Sequence, residues 1–533
     1  MLAFHVDMNF VSFRPEYIER WLDRLAGMGY TAIVWELEDK VEWTTCPECV
    51  HPEAMQKDVF RRLLSHAHRI GLRNIPLLQT IGHAEYVLKH PRYHAWREDP
   101  AYHDCYCVSN AAVRRFLVDW IAEYCGLFDG LFGSDAHFHL GGDEAYRFAS
   151  CPTCRSRAAE IGRNALYAEH VGALSEPLLE RGITPGIWGD MILTQPDDID
   201  VVPPEVTIWD WNYWDGTDSP PATRVWGRGV MRADEIDEEV RRSVPDVLDP
   251  EGRLVPFHSA RFLKRKGRAV VVCSAARSSG DSFFFGQHDV HGPNVVGAVH
   301  TAHSAGLVGS CVTSWGIRVH PWETQMPWIS MAGLASIDPE LSYEATEAGV
   351  AQELFGIPRD EFLALQRGLG ATYPFARRRE CGIQFDRLKD PVPPPEGYVG
   401  GLLAEWSATP GLPAALREEI EQGREALDAA ASLLRRLIAG AHPGGGPGQI
   451  PVVGVLDAYS RALHFQTWAA RFAAEILAGA GGMEVTRDLH QVIGATRRTM
   501  ACWTGEWMTP RYAELVAGLL YGPIEEYCTR LSG

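Results

Sequence analysis

Two kinds of hydrophobic pattern alternate over residues 1–345. Short apolar runs, read as strands, cover residues 3–7, 32–37, 74–79, 136–140, 184–188, 206–210, 269–274 and 308–314. Between them lie stretches with apolar positions three and four apart, such as residues 15–28, 58–70 and 111–124, which read as amphipathic helices. Strands alternating with helices are the pattern of parallel βα units. Eight of them in this order predict an α/β fold closed into a (β/α)8 TIM barrel rather than an open sheet. Residues 215–256 are longer than a simple crossover needs and predict an excursion. From about Ser342 the strand pattern stops. Residues 415–439, 453–478, 484–502 and 510–530 carry helical periodicity, with a glycine-rich break at residues 442–448. The expected organisation is a catalytic barrel over 1–345 followed by an α-helical C-terminal domain over 346–533.

Composition narrows the function classes. A chain of 533 residues is too long for one core and suggests two or three units. With 46% hydrophobic and 22% charged residues it has the make-up of an ordinary soluble globular protein. A net charge of −19 argues against nucleic acid or an anionic membrane as partner. No apolar run has the length of a membrane span. The start, Met1 to Asp7, has no basic segment or cleavage site and enters the first strand directly, so no signal peptide is expected. The expected location is the cytoplasm, which would keep most of the 12 cysteines reduced.

The chemistry concentrates in His139-Leu140-Gly141-Gly142-Asp143-Glu144, at the end of the fourth strand. Two glycines let the backbone turn sharply and approach a ligand closely. Two adjacent carboxylates then follow where a strand gives way to a loop, which in a barrel of this kind is the mouth of the active site. Carboxyls side by side cannot both ionise freely, and an acid beside its conjugate base is the apparatus of glycosidic bond cleavage.

This string resembles the signature of glycoside hydrolase family 20, the β-N-acetylhexosaminidases, in a compact form without the small α+β domain that often precedes the barrel. The resemblance covers roughly residues 1–345. It implies that Glu144 is the general acid/base and that Asp143 orients the substrate's 2-acetamido group, whose oxygen attacks the anomeric carbon. It further implies an acidic residue and a Gly-His behind the acid/base. Asp39 and His83 match those places as a support pair, with Asp39 holding the imidazole, and His139 supports from within the motif. Family 20 walls its acetamido pocket with tryptophans, and Trp188, Trp209 and Trp315 match best; core packing is the more natural reading of Trp211. Asp281 matches an Asp that binds sugar hydroxyls, or it is a solvated loop acid. No cofactor is implied for catalysis.

Three family features are displaced. The Arg-Gly pair of the first strand is replaced by Leu2-Ala3, the Trp-Gly-Glu after the eighth strand reads Trp315-Gly316-Ile317, and the tyrosine after the seventh strand has no counterpart near Ser278. Glu36, Arg318 and Glu323 are candidate substitutes. Two Cys-Pro-x-Cys knuckles, Cys46/Cys49 and Cys151/Cys154, have the ligand spacing of a structural zinc site. They could together hold one zinc on the barrel rim, remain two unbridged pairs, or form disulfides in oxidising surroundings.

The expected function is an exo-acting β-N-acetylhexosaminidase acting on an oligosaccharide or glycoconjugate. The alternatives are a retaining glycosidase on the same barrel with a different or modified sugar, and a catalytically idle carbohydrate-binding protein. The helical domain is a candidate homodimer interface.

Overall fold

The computed structural model describes residues 1–9, 11–278, 280–315, 321–376, 398–440, 452–477, 497–498 and 500–532. Ten strands are assigned among them: β1 (Leu2–Asp7), β2 (Ala32–Glu36), β3 (Arg73–Leu77), β4 (His137–His139), β5 (Thr184–Trp188), β6 (Thr207–Trp211), β7 (Thr223–Val225), β8 (Gly229–Met231), β9 (Val270–Arg277) and β10 (Gly309–Ser314). Eight close into a barrel in the order β1-β10-β9-β6-β5-β4-β3-β2, every pair parallel. Helices run between successive strands, among them Pro15–Gly27, Lys57–Arg69 and Ala111–Phe128. The fold is thus a (β/α)8 TIM barrel with a helical C-terminal region. The expected excursion within residues 215–256 is a small antiparallel hairpin, β7–β8, followed by the short helix Glu238–Ser243.

Alternation along the strands sorts residues between the barrel interior and the interface with the helices. Ala3, Ala32, Val34, Ile75, Leu77, Trp188, Trp209, Val271, Cys273 and Cys311 form one buried interior cluster. One layer nearer the strands' C-terminal ends the interior becomes polar. His5 (β1), Glu36 (β2), Gln79 beyond β3 and His139 (β4) are all buried. Nε2 of His5 lies 2.9 Å from Oε2 of Glu36, and Nε2 of Gln79 donates to its Oε1 at 2.9 Å. These bonds tie Glu36 into the layer on both its oxygens, while Nδ1 of His5 and Nε2 of His139 are buried without a hydrogen-bond partner. Despite burial, the hydrogen bond and charge of His5 hold the Glu36 carboxyl below its usual range.

The helices beyond the barrel are integral to it. Tyr343–Phe355 starts on Ser342, whose hydroxyl accepts from the Ala345 amide at 3.2 Å, so this helix runs across the expected boundary at 345/346. Its Glu347 is buried, meets Nε2 of His288 at 2.6 Å and pairs with Arg359. Leu412–Gly440, Val452–Leu477 and Pro510–Ser532 realise three of the predicted helices. Most of the fourth, residues 484–502, and the break at 442–448 lie outside the described residues. The C-terminal region covers loops at the rim formed by the strands' C-terminal ends. Phe13, after β1, pairs with Met508 as an antiparallel bridge, and the Thr509 amide donates to the Ser12 carbonyl at 2.9 Å. The Thr509 hydroxyl donates to Glu53, after β2, at 2.7 Å. Phe284, after β9, packs on Phe465 and Trp503 with ring centres 5.3 and 5.1 Å away.

Removing everything after Ser342 would expose Phe13, Phe284 and Phe285, all buried in the intact chain. Contiguous apolar surface of that kind drives association. The truncated barrel is expected to aggregate, as read by light scattering and the soluble fraction. A monodisperse, stable barrel would show that the covering is dispensable.

Candidate active site

The site is built on the turn that ends β4. Gly141 and Gly142 have φ of 62° and 90°. A Cβ on Gly141 would stand 2.1 Å from Oε1 of Gln79, and one on Gly142 would stand 2.5 Å from the Tyr167 hydroxyl. Glycine is therefore demanded twice, by conformation and by space. The turn is held from below. Nδ1 of His139 accepts from the Gly141 amide at 2.9 Å, and Oε1 of Gln79 accepts from Gly142 at 3.3 Å. Burial, with His5 nearby, keeps the His139 pKa well below its ordinary value, so the ring is neutral and can accept there.

Asp143 and Glu144 leave this turn in succession but meet different surroundings. Asp143 is 5% exposed, and its Oδ1 is buried with no hydrogen-bond partner. Glu144 has a 37% exposed side chain and a φ of 44°, so its backbone is in the left-handed region that non-glycine residues rarely adopt. Two contacts hold it there. Its amide donates to Oδ2 of Asp190 at 2.9 Å, and its Oε1 accepts from the Tyr146 hydroxyl at 2.7 Å.

His83 faces both carboxylates, with Nε2 3.4 Å from Oδ2 of Asp143 and 3.6 Å from Oε2 of Glu144. Burial by itself would lower its pKa. The charge of Asp143, the hydrogen bond to it, and the charges of Glu85 and Glu144 outweigh this and raise the value well above the ordinary one. His83 also has positive φ, 52°, and the preceding Gly82 packs so closely that a Cβ there would lie 2.2 Å from the Asp143 carbonyl oxygen. The loop after β3 is thus pressed onto the turn that carries Asp143 and Glu144.

Several sequence expectations are redrawn by these contacts. Asp39 does not hold His83: it is ion-paired with its neighbour Lys40, which packs over Tyr512, and no hydrogen bond joins these two described residues, Asp39 and His83. Asp281 is neither a sugar ligand nor a solvated acid. It is 2% exposed, lies 2.9 Å from Nε2 of His291 and 3.4 Å from Nε of Arg277, and accepts from the amides of Ser278 and Gln287 at 2.9 and 3.0 Å. With every lone pair engaged inside the protein, it pins the loop after β9. Among the substitutes, Glu36 is tied to His5 and Gln79, and Glu323 accepts from Tyr17, Trp21 and Arg24, outside the barrel. Gly316, Ile317 and Arg318 lie outside the described residues.

The tryptophans form two layers. Trp188 and Trp209 are each 1% exposed and pack around His139, with ring centres 4.4 and 5.0 Å from it. Trp315 is partly exposed, 6.1 Å from Trp188 and 4.8 Å from His5. Trp211 is partly exposed too, and its indole N–H donates to Oδ1 of Asp190 at 3.3 Å. Trp209, the tryptophan of β6 expected at the pocket, is thus buried, whereas Trp211 is partly exposed. Both face inward on β6, and Trp211 is two residues nearer the mouth.

Asp190, Tyr146 and Tyr213 were not singled out in the sequence. The Gly189-Asp190 step at the end of β5 was a signal for the first, since strand ends are where barrel chemistry collects. Tyr213, from the loop after β6, stands with its ring centre 6.4 Å from that of Trp315, and burial keeps its phenol protonated.

The cysteine pairs part company. Cys46 and Cys49 form a disulfide with each other. Cys151 and Cys154 instead meet Cys107 and Glu98, so the expected four-cysteine set is not assembled. Cys107 lies in the long loop after β3, where Cys105-Tyr106-Cys107 was legible as a further ligand pair.

The closed parallel barrel thus carries a carboxylate pair at the C-terminal end of β4, with tryptophans at the ends of β5 and β6 and just after β10. Residues 4–229, from β1 through β7, match the family model "Glycosyl hydrolase family 20, catalytic domain", and over that stretch, which includes His139–Glu144, the chain resembles this family. Hexosaminidase D of Homo sapiens is 24% identical over 206 residues, covering 37% of this chain and 41% of that protein. Hexosaminidase D of Bos taurus is 25% identical over 206 residues, covering 37% of this chain and 58% of that one. The match thus spans about half the length of these curated relatives. The chitobiase of Flavobacterium johnsoniae is similar in structure with a TM-score of 0.45 and 15% identity, over 97% of this chain and 77% of that one.

Asp190 supplies a test of the site's electrostatics. Burial, then the charge of Asp143, raises its pKa to about 7. An unfolded aspartate titrates near ~3.9, so between about pH 4 and 7 the native state binds more protons than the unfolded state, and stability falls as pH rises. Asp190→Asn removes this slope while keeping an acceptor for the Glu144 amide. The melting temperature of the variant minus that of the wild type should climb from about pH 4 to 7 and level off above. A flat difference would mean that Asp190 is not held in its uncharged form.

Proposed function

We propose that this chain is an exo-acting β-N-acetylhexosaminidase that releases a terminal β-linked N-acetylhexosamine with retention, by substrate-assisted catalysis. The observation that carries the reading is the buried, unpartnered Oδ1 of Asp143 beside an exposed Glu144. Adjacent residues from one turn cannot sit on opposite faces of a sugar ring, as the acid and nucleophile of an ordinary retaining enzyme do. A nucleophile within the substrate resolves this, since a 2-acetamido oxygen already lies beneath the anomeric carbon. Intramolecular attack can supply several kcal/mol of the barrier.

In this mechanism Asp143 accepts the acetamido N–H at its free oxygen and stabilises the positive charge that develops as the ring closes. Tyr213, protonated and beside Trp315, donates to the acetamido oxygen, the part played in the family by a tyrosine after the seventh strand. Trp315 and Trp211 cover the apolar faces of the sugar and its methyl group, with Trp188 and Trp209 backing them. Glu144 protonates the leaving oxygen and afterwards takes a proton from water. His83 and Asp190 hold the pair in place, and His139 holds the turn. In the same reading residues 1–345 carry the chemistry, and residues 346–533 cover the rim and carry none of it.

A second reading, the same chemistry on an N-acetyl sugar altered at its hydroxyls, is favoured by one observation. Glu36 and Glu323 are consumed by protein partners, so neither offers a free carboxylate to unmodified 4- and 6-hydroxyls.

Glu144→Gln should lose roughly 10²- to 10⁴-fold in kcat/KM on β-N-acetylhexosaminides with poor leaving groups. The loss should be smaller on activated aryl glycosides, which need little protonation. A thiazoline mimic of the cyclised intermediate should inhibit the wild type competitively. Trapping of a glycosyl adduct on a carboxylate, with no thiazoline inhibition, would refute substrate assistance.

A further inference from the structure

The strongest cluster outside the carboxylate pair joins the loop after β3 to the segment that follows the catalytic turn. One ligand atom each from Glu98, Cys107, Cys151 and Cys154 lies within 4.8 Å of all the others. The Cys107 sulfur is 3.7 Å from the sulfurs of both Cys151 and Cys154. That separation is too long for a disulfide, in which sulfurs stand about 2.05 Å apart. It fits thiolates sharing one tetrahedral ion: bonds of about 2.3 Å to zinc put sulfurs about 3.8 Å apart.

The local backbone is shaped for the same purpose. Cys151 caps the helix Pro152–Ile161, and its sulfur accepts from the Cys154 amide at 3.3 Å, which orients that sulfur. The Ser109 hydroxyl lies 3.0 Å from the Cys154 sulfur. Glu98 is 1% exposed. Its Oε1 accepts from the Cys151 amide at 2.9 Å, while Oε2 is buried with no hydrogen-bond partner. A buried carboxylate oxygen without a donor is costly, and a cation beside it removes the cost. Three sulfurs and one such oxygen make a closed, four-coordinate set with no open position, so the ion would be structural.

We propose that Glu98, Cys107, Cys151 and Cys154 bind one zinc ion, which ties the loop carrying His83 to the segment carrying Glu144. The loop after β3 runs from Gly82, pressed on Asp143, to Cys107; the segment after β4 runs from Glu144 to Cys154. The first contains only the short helices Glu85–Leu88 and Pro91–Trp96, and the second is non-helical up to Cys151; the ion would fix their far ends where Gly82 and Asp143 fix the near ones. The proposal stands on this cluster alone and does not depend on which sugar, if any, the barrel cleaves.

The test is elemental analysis of the full-length protein, expressed and purified without added metal or chelator. One equivalent of zinc is expected in the wild type and in Cys46→Ser, and none in Cys107→Ser or Cys154→Ser. Protein produced in cobalt should show the absorption bands of tetrahedral thiolate coordination, absent from Cys107→Ser. Glu98→Gln keeps the carbonyl that receives the Cys151 amide. It should fold, yet lose zinc to a competing chelator at concentrations lower by more than about tenfold, the scale on which even outer-shell partners act. Metal-free wild type would overturn the proposal. So would zinc lost from Cys46→Ser but kept by Cys107→Ser, or a disulfide linking Cys107 to Cys151 or Cys154 in non-reducing peptide maps.

Discussion

The closeness with which Gly141 and Gly142 pass over Gln79 and Tyr167 is the contact on which the site depends. With a side chain at either position the β4 turn could not lie where it does, and Asp143 and Glu144 would leave it in other directions. The turn is supported by a chain of hydrogen bonds through the barrel. His5 meets Glu36, Glu36 accepts from Gln79, and Gln79 accepts from Gly142. β1, β2 and β3 are thereby connected to a turn that belongs to β4. A polar layer of this kind adds little net stability over an apolar one of the same shape, but its directional bonds fix the orientation of the groups they join.

Strain and charge are concentrated on the same few residues. Glu144 and His83 both hold left-handed backbones, and each is held there from outside its own segment, Glu144 by Asp190 and His83 by the carboxylates it faces. Such conformations persist where surrounding structure over-determines them. The density of carboxyl groups raises the pKa of both His83 and Asp190; burial is the larger cause at Asp190 and acts the opposite way at His83. A protonated imidazole and an uncharged aspartic acid are the two ways in which the protein tolerates that density.

The C-terminal helices bear on the same rim. They touch the loops after β1, β2 and β9 through Met508, Thr509 and the aromatic group of Phe465 and Trp503. The loops after β3 and β4 are instead joined by the cluster of Glu98, Cys107, Cys151 and Cys154. The rim loops are therefore joined in two ways, by the C-terminal region over those after β1, β2 and β9 and by the cysteine–glutamate cluster between those after β3 and β4. Both act at the strand ends where the irregular backbone lies.

Local pattern was enough to read the eight barrel strands, the helices between them and the position of the carboxylate pair. Strand periodicity, turn glycines and the adjacency of Asp143 and Glu144 are properties of neighbours along the chain, and folding does not change them. Partners across the fold were not legible in this way. Asp39 turned to Lys40, Asp281 to His291 and Arg277, and Cys46 to Cys49 rather than to Cys151. Trp211, not Trp209, came nearest the mouth, because the depth of an inward-facing residue depends on where its strand ends against the others. Glu98 carried no motif and Asp190 only its place at a strand end, and each acquired its partner only when a second segment was laid against it. Which residues the chemistry needs is written in short strings, whereas which residues hold them depends on contacts between segments far apart in the chain, and only the closed barrel brings those segments together.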